Sequence, residues 1–298
     1  MTGLIKKALI GASVVAGMSA IASAPASAFT MTGTDYLLYD VTGNSTYVNP
    51  NANLNSILAG NSAHPGGNVE LFASSETLSN EQFLASTART SVSGLVAGSM
   101  LTLSSLTAAD WFSTGSGMSM SYGANNLANR WFNDFLTAAG QGSASLATKA
   151  DLYNIFGGIG GFQRSSDPNI SYINSSGGNI NIGLAGHFDL KAFYTRPGSP
   201  FAMVAAFLPN GFQASEVVRA TYNGTTQYLY SFSATNSGLT NDVGPGADGT
   251  SHSGNYEVSL RSVVTPPRRT AVPEPSAMLA LFGLGAFLVT KRKQSKTA

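Results

Sequence analysis

Large apolar side chains recur at helical spacing in residues 123–140, which read GANNLANRWFNDFLTAAG. Four of them fall on one side of a helix with 3.6 residues per turn: Leu127, Trp131, Phe135 and Leu136. Polar residues occupy most positions between them, and Gly140 is a residue type that commonly ends a helix. The pattern therefore predicts an amphipathic helix whose apolar side is buried in a core.

A second helix is predicted in residues 145–162, SLATKADLYNIFGGIGGF. The glycine-rich run at residues 157–161 follows this helix and lacks the Lys-Ser/Thr pair of a phosphate-binding loop, so we interpret it as a helix end. Two shorter helices are predicted to begin after Ser79 and Thr107, because both residue types cap helix N-termini well.

Three turns lie between runs of alternating apolar and polar residues and predict β-hairpins. They are Gly43-Asn44, Gly177-Gly178 and Asn223-Gly224. Gly and Asn tolerate the positive φ angles that tight hairpin turns require. In the arm after the third turn, three aromatic residues alternate and should share one face: Tyr228, Tyr230 and Phe232.

Further strands are predicted in residues 67–74, 90–106 and 255–264. Together these elements predict a mainly β fold with an α insert, of the α+β class. We expect a β-sandwich-like body over residues 29–264, with an insertion of two to three helices near residues 79–160. No repeat of fixed period is visible, which argues against a solenoid or a propeller.

The composition shows that the chain has few charged residues and no cysteine thiols. Charged residues make up 10% of the chain, against roughly 25% in ordinary soluble domains. From residue 29 to residue 265 there are 14 acidic and 8 basic residues, a net charge of −6 with no basic stripe. We therefore expect no nucleic-acid binding. Cysteine is absent, which excludes disulfides and thiolate metal sites.

The first 28 residues have the three parts of a secretory signal peptide. Lys6 and Lys7 form the basic start, residues 8–22 are mostly small and apolar, and small residues follow. The residues of the predicted cleavage site are Ala26, Ala28 and Phe29. Signal peptidase is thus an expected partner, and an uncleaved anchor helix is the alternative.

The other end of the chain carries a second tripartite segment after a Pro- and Arg-rich linker at residues 265–271. Its parts are Pro273, Glu274 and Pro275, then an apolar stretch at residues 276–290, then Lys291, Arg292 and Lys293. As a helix the stretch would measure about 22 Å, whereas the apolar core of a bilayer is about 30 Å thick. We predict a short transmembrane helix whose basic residues act as a cytoplasmic stop.

These residues in this order, from 272 to 298, resemble the PEP-CTERM sorting signal of exported bacterial proteins. The resemblance implies processing near Pro273-Glu274-Pro275 by an exosortase, a membrane transpeptidase-like enzyme. It also implies export across the inner membrane, transient membrane anchoring, delivery to the envelope or the exterior, and an exopolysaccharide programme that makes exopolysaccharide a candidate partner. An ordinary C-terminal anchor is the alternative, against which the short apolar stretch argues.

Three arrangements are candidates for chemistry in the body. His187 and Asp189 are spaced to share one face of a strand and could bind a metal or act as acid and base. Asp242 and Asp248 lie in a glycine-rich loop that could hold calcium, although the spacing of an EF-hand is missing. The third arrangement resembles a sugar cleft, and its members are Asp110, Asp134, Trp111 and Trp131. The preferred alternatives are, in the same order, a polar outer strand face, a flexible surface loop, and a helix cap with a helix surface charge.

None of these arrangements forms a recognisable catalytic constellation, so we expect a protein that is not an enzyme and needs no cofactor. The preferred interpretation is an exported structural or adhesive protein of the envelope or of a biofilm matrix. The alternative is a secreted carbohydrate-binding protein or polysaccharide hydrolase, in which Tyr228, Tyr230 and the two tryptophans would stack on sugars. Regular Thr-x-Thr repeats are missing, which argues against an ice-binding surface.

Overall fold

The computed structural model describes residues 28–244 and 247–262. Within these two ranges, no helix combines the length and the apolar character that crossing a membrane requires. The first 27 residues of the predicted signal peptide, the linker at residues 265–271 and the tail at residues 272–298 lie outside the described residues. The predicted membrane helix lies outside them too.

The body is mainly β, as predicted, and its sheets are antiparallel. The strands are β1 (Thr30–Thr32), β2 (Tyr36–Thr42), β3 (Ser45–Val48), β4 (Asn68–Leu71), β5 (Ser91–Val96), β6 (Ser99–Ser104), β7 (Ser113–Thr114), β8 (Gly117–Met118), β9 (Asn169–Ser176), β10 (Asn179–Gly186), β11 (Val218–Tyr222), β12 (Thr225–Leu229), β13 (Thr235–Asn236) and β14 (Gly254–Arg261).

Two larger sheets organise these strands. One has five strands in the order β1-β5-β6-β11-β12, and the other has seven in the order β13-β14-β10-β9-β4-β2-β3. All three predicted hairpins are confirmed, as β2–β3, β9–β10 and β11–β12. The third turn places Asn223 and Gly224 at φ angles of 49° and 77°, the conformation that this residue pair adopts with least strain.

Both sheets contribute side chains to one apolar cluster. The alternation along each strand decides which residues enter it, because successive side chains point to opposite faces. In the five-stranded sheet, Val92, Leu103 and Ala220 are buried in one row across β5, β6 and β11. The seven-stranded sheet supplies Val69, Ile170, Ile182, Leu184, Tyr256 and Val258, among others.

Six of the seven helices in the described residues contribute to a second apolar cluster, whereas the first helix packs in the cluster of the sheets. The helices are α1 (Leu54–Leu58), α2 (Asn80–Ala85), α3 (Ala108–Phe112), α4 (Leu127–Ala138), α5 (Leu146–Gly158), α6 (Leu190–Tyr194) and α7 (Ala202–Ala205). The helices predicted around residues 123–140 and 145–162 are confirmed, and so is the helix end within the glycine run. Ser79 caps α2 by accepting a hydrogen bond from the Gln82 N–H.

Residues 79–160 were predicted to be a helical insertion, but the helical part of the structure does not coincide with this segment. The segment holds α2 to α5, but it also holds β5 and β6, which are central strands of the five-stranded sheet. Helices α6 and α7 follow it in the chain, yet Leu190, Phe201 and Val204 join the same apolar cluster as α4 and α5. The helical unit is thus assembled from separate parts of the chain by burial of a shared core.

Aromatic side chains dominate that helical core. Trp131 on α4 contacts Trp111 on α3 in an edge-to-face arrangement, with the ring centroids 5.7 Å apart. Phe162 packs against both tryptophans. The Trp111 indole donates a hydrogen bond to Ser166 Oγ at 2.7 Å, close to the start of β9. The helical unit is therefore fixed to the sheets by packing and by buried hydrogen bonds.

Candidate functional site

A cavity of about 360 Å³ lies between α4, α6, the loop that follows α6 and the segment before β11. Its volume is at the lower end of the range of small-molecule sites. Helix α6 begins where the Asp189 carboxylate accepts a hydrogen bond from the Ala192 N–H at 2.9 Å. This cap places Phe193 and Tyr194 at the wall of the cavity.

Stacked rings make up that wall. The His187 imidazole lies flat against Phe193, with a centroid distance of 3.8 Å. The Tyr194 ring stacks on Phe201 at 4.5 Å. Two guanidinium groups cover the outer rings, Arg196 over Phe193 at 4.8 Å and Arg164 over Phe201 at 5.4 Å. The cavity, referred to below as the aromatic cavity, thus combines aromatic surfaces with cations.

Trp131 also lines the aromatic cavity, although its side chain is only 2% exposed. Its indole Nε1–H has no hydrogen-bond partner among the described residues. An indole nitrogen can only donate, and a buried donor without an acceptor destabilises the fold. The nitrogen itself is covered by surrounding protein, so it does not open into the aromatic cavity.

The side chains that line the aromatic cavity carry more positive than negative charge at pH 7, because two of its titratable groups have shifted pKa values. Burial raises the pKa of Glu216 well above its usual range, and Asp167 and Glu70 raise it further, so the protonated acid is favoured. Burial lowers the pKa of His187 to about 4, which leaves the imidazole neutral at pH 7. The lining charges are then Arg164 and Arg196 against the carboxylate of Glu76.

A group of buried carboxyls lies next to Glu216. The Ser75 hydroxyl donates a hydrogen bond to Asp167 Oδ2, while Asp167 Oδ1 has no partner among the described residues. Burial raises the pKa of Glu70 to about 7, although the Tyr39 hydroxyl donates to its carboxyl at 2.9 Å. No group of three or more His, Asp or Glu side chains in the described ranges has the geometry of a metal site.

The predicted pairing of His187 with Asp189 on one strand face is wrong. Strand β10 ends at Gly186, so the alternation of a strand does not apply to these residues, and Asp189 caps α6 instead. His187 faces a different carboxylate, since its Nε2 lies 3.8 Å from Asp248 Oδ2. Its Nδ1 contacts the Thr250 hydroxyl at 3.0 Å.

The two loop acids that were considered as calcium ligands accept hydrogen bonds from protein groups. Asp248 accepts hydrogen bonds from the backbone N–H groups of Thr250 and Ser251. Asp242 accepts one from the Ser45 hydroxyl at 2.6 Å. The two carboxylates therefore stabilise the loop and the neighbouring strand, while residues 245–246 of the loop lie outside the described ranges.

The sugar cleft considered from the sequence is not formed, because Trp111 and Trp131 are 0% and 2% exposed. Their rings pack on other aromatic residues and cannot stack on a ligand. The two acids accept hydrogen bonds from tyrosines of the same arm, Asp110 from Tyr228 at 2.8 Å and Asp134 from Tyr230 at 2.7 Å. The alternating face of that arm, including Phe232, packs against the helical core.

Sequence analysis missed a row of hydroxyls on the outer face of the five-stranded sheet. Direct cross-strand pairing aligns Thr30, Ser93, Thr102, Thr221 and Thr226. Two contacts within the row join hydroxyl oxygens at 2.9 Å, Ser93 with Thr102 and Thr221 with Thr226. This feature, the hydroxyl row, runs across strands and has no signature along the chain.

The residues predicted for processing lie at or beyond the ends of the body. Ala28 is exposed, and the Phe29 N–H donates a hydrogen bond to Asn55 Oδ1 at 2.7 Å. Ala26, Pro273, Glu274 and Pro275 lie outside the described residues, as do Lys291, Arg292 and Lys293. Cleavage between Ala28 and Phe29 stays a prediction.

Comparison with known families identifies the tail. Residues 271–293 match the model of the PEP-CTERM protein-sorting motif, which confirms the resemblance found in the sequence. The chain is therefore one that carries an export and sorting signal, and this signal implies transient anchoring at the C-terminal side and an exosortase-type processing machinery as partner. No curated protein and no solved structure matches the chain.

Proposed function

We propose that an exosortase processes the tail and that the body is then deposited in the cell envelope or in an extracellular, biofilm-type matrix. There it serves as a structural or adhesive component without catalytic activity. The observation that carries this proposal is the PEP-CTERM match at residues 271–293, which follows a body whose last strand ends at Arg261. Signal peptidase would remove residues 1–28 on the way out.

The surface of the body supports an adhesive role. We describe the body as sandwich-like because both larger sheets contribute to one apolar cluster. Its five-stranded sheet presents the hydroxyl row outward. In each of the two bonded pairs one hydroxyl keeps its O–H for another partner, and the hydroxyl oxygens can accept further hydrogen bonds. Polysaccharides offer the same groups in return, so a weakly charged, hydroxyl-bearing face suits contact with them.

The test is replacement of Pro273, Glu274 and Pro275 by alanine in the producing cell. We expect a heavier, membrane-retained form by mass spectrometry and fractionation, since the processing enzyme would lose its recognition element. Pro266 and Pro267, replaced by alanine in the same way, serve as the matched control in the linker. Normal mass and normal location of the first variant would refute the sorting proposal.

A carbohydrate-binding protein is the second candidate function, and the aromatic cavity is the observation that favours it. The aromatic cavity combines ring surfaces with two guanidinium groups and the carboxyl of Glu216, which is the composition of a site for a polar ring. The two acids that the sequence suggested for hydrolysis, Asp110 and Asp134, do not border the aromatic cavity. A glycan array with the purified protein tests this candidate, and absence of binding would leave the structural role.

A further inference from the structure

We propose that the aromatic cavity binds a carboxylated sugar ring, such as the hexuronate unit of an acidic polysaccharide. The inference rests on the proposed function in one respect, namely that the body is delivered to a place where such polysaccharide is present. Three features of the aromatic cavity carry it: its ring surfaces, its hydrogen-bonding groups and its excess of positive charge.

The ring surfaces indicate a flat ligand with apolar patches. Phe193 and Tyr194 are half-buried at the wall, and each is held in place by a stacked neighbour, His187 or Phe201. Pre-stacked rings lose little conformational freedom when a ligand arrives. The C–H faces of a pyranose fit the ring of Tyr194, since the two guanidinium groups lie over Phe193 and Phe201 instead. An extended peptide would need an exposed strand edge.

The hydrogen-bonding groups indicate a ligand with both donors and acceptors. Glu216 lines the aromatic cavity, and its Oε2 already accepts a hydrogen bond from the Asn169 N–H at 3.0 Å. Because its protonated form is favoured, this carboxyl can still donate a hydrogen bond through its O–H. Sugar hydroxyls can accept that bond and donate others in return.

The charges select an acidic sugar over a neutral one. Arg164 uses Nη1 and Nη2 to bind the carbonyl oxygens of Ile159 and Glu76. Arg196 binds the Asp248 carbonyl oxygen and the Thr250 hydroxyl. A guanidinium has five N–H donors, so each retains donors for a ligand. A carboxylate accepts them in the paired geometry that arginine favours.

Titration calorimetry on the purified full chain tests the inference, with glucuronate, glucose and inorganic phosphate as probes. We expect glucuronate to bind at least about tenfold more tightly than glucose, as one charge-assisted hydrogen bond would give. Equal binding of the two sugars would overturn the inference. Binding of phosphate alone would overturn it as well, because the site would then be selective for charge without the ring.

Two variants assign the binding to the aromatic cavity. Arg196→Gln should weaken glucuronate binding by about tenfold and leave glucose unchanged. Arg130→Gln, an exposed position on α4, is the matched control and should leave binding of both sugars unaltered. Identical behaviour of the two variants would place the ligand elsewhere and refute the assignment.

Arg164→Gln removes the other guanidinium group that lines the aromatic cavity, and it should likewise weaken glucuronate binding by about tenfold. This variant decides the matter if Arg196→Gln fails to fold, and unchanged glucuronate binding would then overturn the inference. The outcome is independent of the sorting test, which measures processing in cells.

Discussion

The Tyr228 hydroxyl donates a hydrogen bond to Asp110 Oδ1 at 2.8 Å across 118 residues of sequence. Asp110 belongs to α3 and Tyr228 to β12, so the contact joins the helical unit to the edge of the five-stranded sheet. Arg89 and Arg219 form ion pairs with the same carboxylate. An acid that the sequence suggested for sugar chemistry is therefore a structural contact.

Asp110→Asn should destabilise the protein by about 2–3 kcal/mol, because it removes the charge that its buried donors require. Burial opposes ionisation of Asp110, but hydrogen bonds from Arg89, Thr107 and Tyr228 outweigh it and hold its pKa below the usual value. A lowered pKa gives stability that is present above pH 3.8 and is lost as the pH falls through the folded-state pKa.

Urea unfolding of the purified protein at pH 7 and pH 3 measures this effect. The difference between wild type and Asp110→Asn should be large at pH 7 and should shrink at pH 3. Asp151→Asn, an exposed acid on α5, is the control and should change little at either pH. A variant as stable as wild type at pH 7 would show that the contact is dispensable.

The chain has two tryptophans, and both are buried, so its fluorescence should report burial directly. We expect blue-shifted emission that iodide barely quenches in the folded protein, and a red shift with full quenching in urea. Strong quenching in the folded state would contradict the packing of Trp111 against Trp131. Trp111→Ala should cost about 3–5 kcal/mol, since it leaves a large cavity.

Gly183→Ala should destabilise the protein by about 1–3 kcal/mol through overpacking. A Cβ at position 183 would overlap the ring of Tyr172, which is fully buried and donates a hydrogen bond to Glu257 at 2.8 Å. Gly158→Ala is the control, because a Cβ there meets open space at the end of α5. Thermal melts should separate the two variants, and equal melting temperatures would contradict the packing around β10.

Glu70→Gln should gain stability relative to wild type as the pH rises from about 4.5 to about 7. Burial raises the pKa of Glu70 to about 7, so the folded state holds its proton more tightly than the unfolded state. The stability from that group is complete below pH 4.5 and is lost as the pH rises through the folded-state pKa of about 7.

Denaturation midpoints of Glu70→Gln and wild type at pH 5, 6 and 7.5 test the sign of this difference. Glu81→Gln, an exposed position on α2, controls for the loss of one negative charge and should show a flat difference. A flat difference for Glu70→Gln as well would mean that the carboxyl is ionised at no cost in the folded state.

The hairpins and the main helices could be predicted from patterns of residues that are close together in the sequence. Asn223-Gly224 specifies its turn because few residue pairs tolerate two successive positive φ angles. The spacing of apolar residues around Trp131 specifies the buried side of α4 because a helix repeats every 3.6 residues. The tail was identified in the same way, since its three parts lie next to one another in sequence.

Contacts between segments that are far apart in the sequence could not be predicted from such patterns. His187 was assigned to Asp189 by strand spacing, but β10 ends one residue earlier and the fold presents Asp248 instead. Trp131, His187 and Glu216 meet at the aromatic cavity only after the helices and sheets have packed. The hydroxyl row likewise depends on the register of five strands.

The sequence by itself determined the sorting signal, the mainly β class and the element pattern, because each depends on residues that are close together in the chain. Tertiary structure alone decided which acids are structural contacts and which groups border a cavity. The physical reason is that burial, ion pairing and hydrogen-bond satisfaction depend on neighbours in space, and for residues such as Asp110 and Tyr228 those neighbours are far apart in sequence.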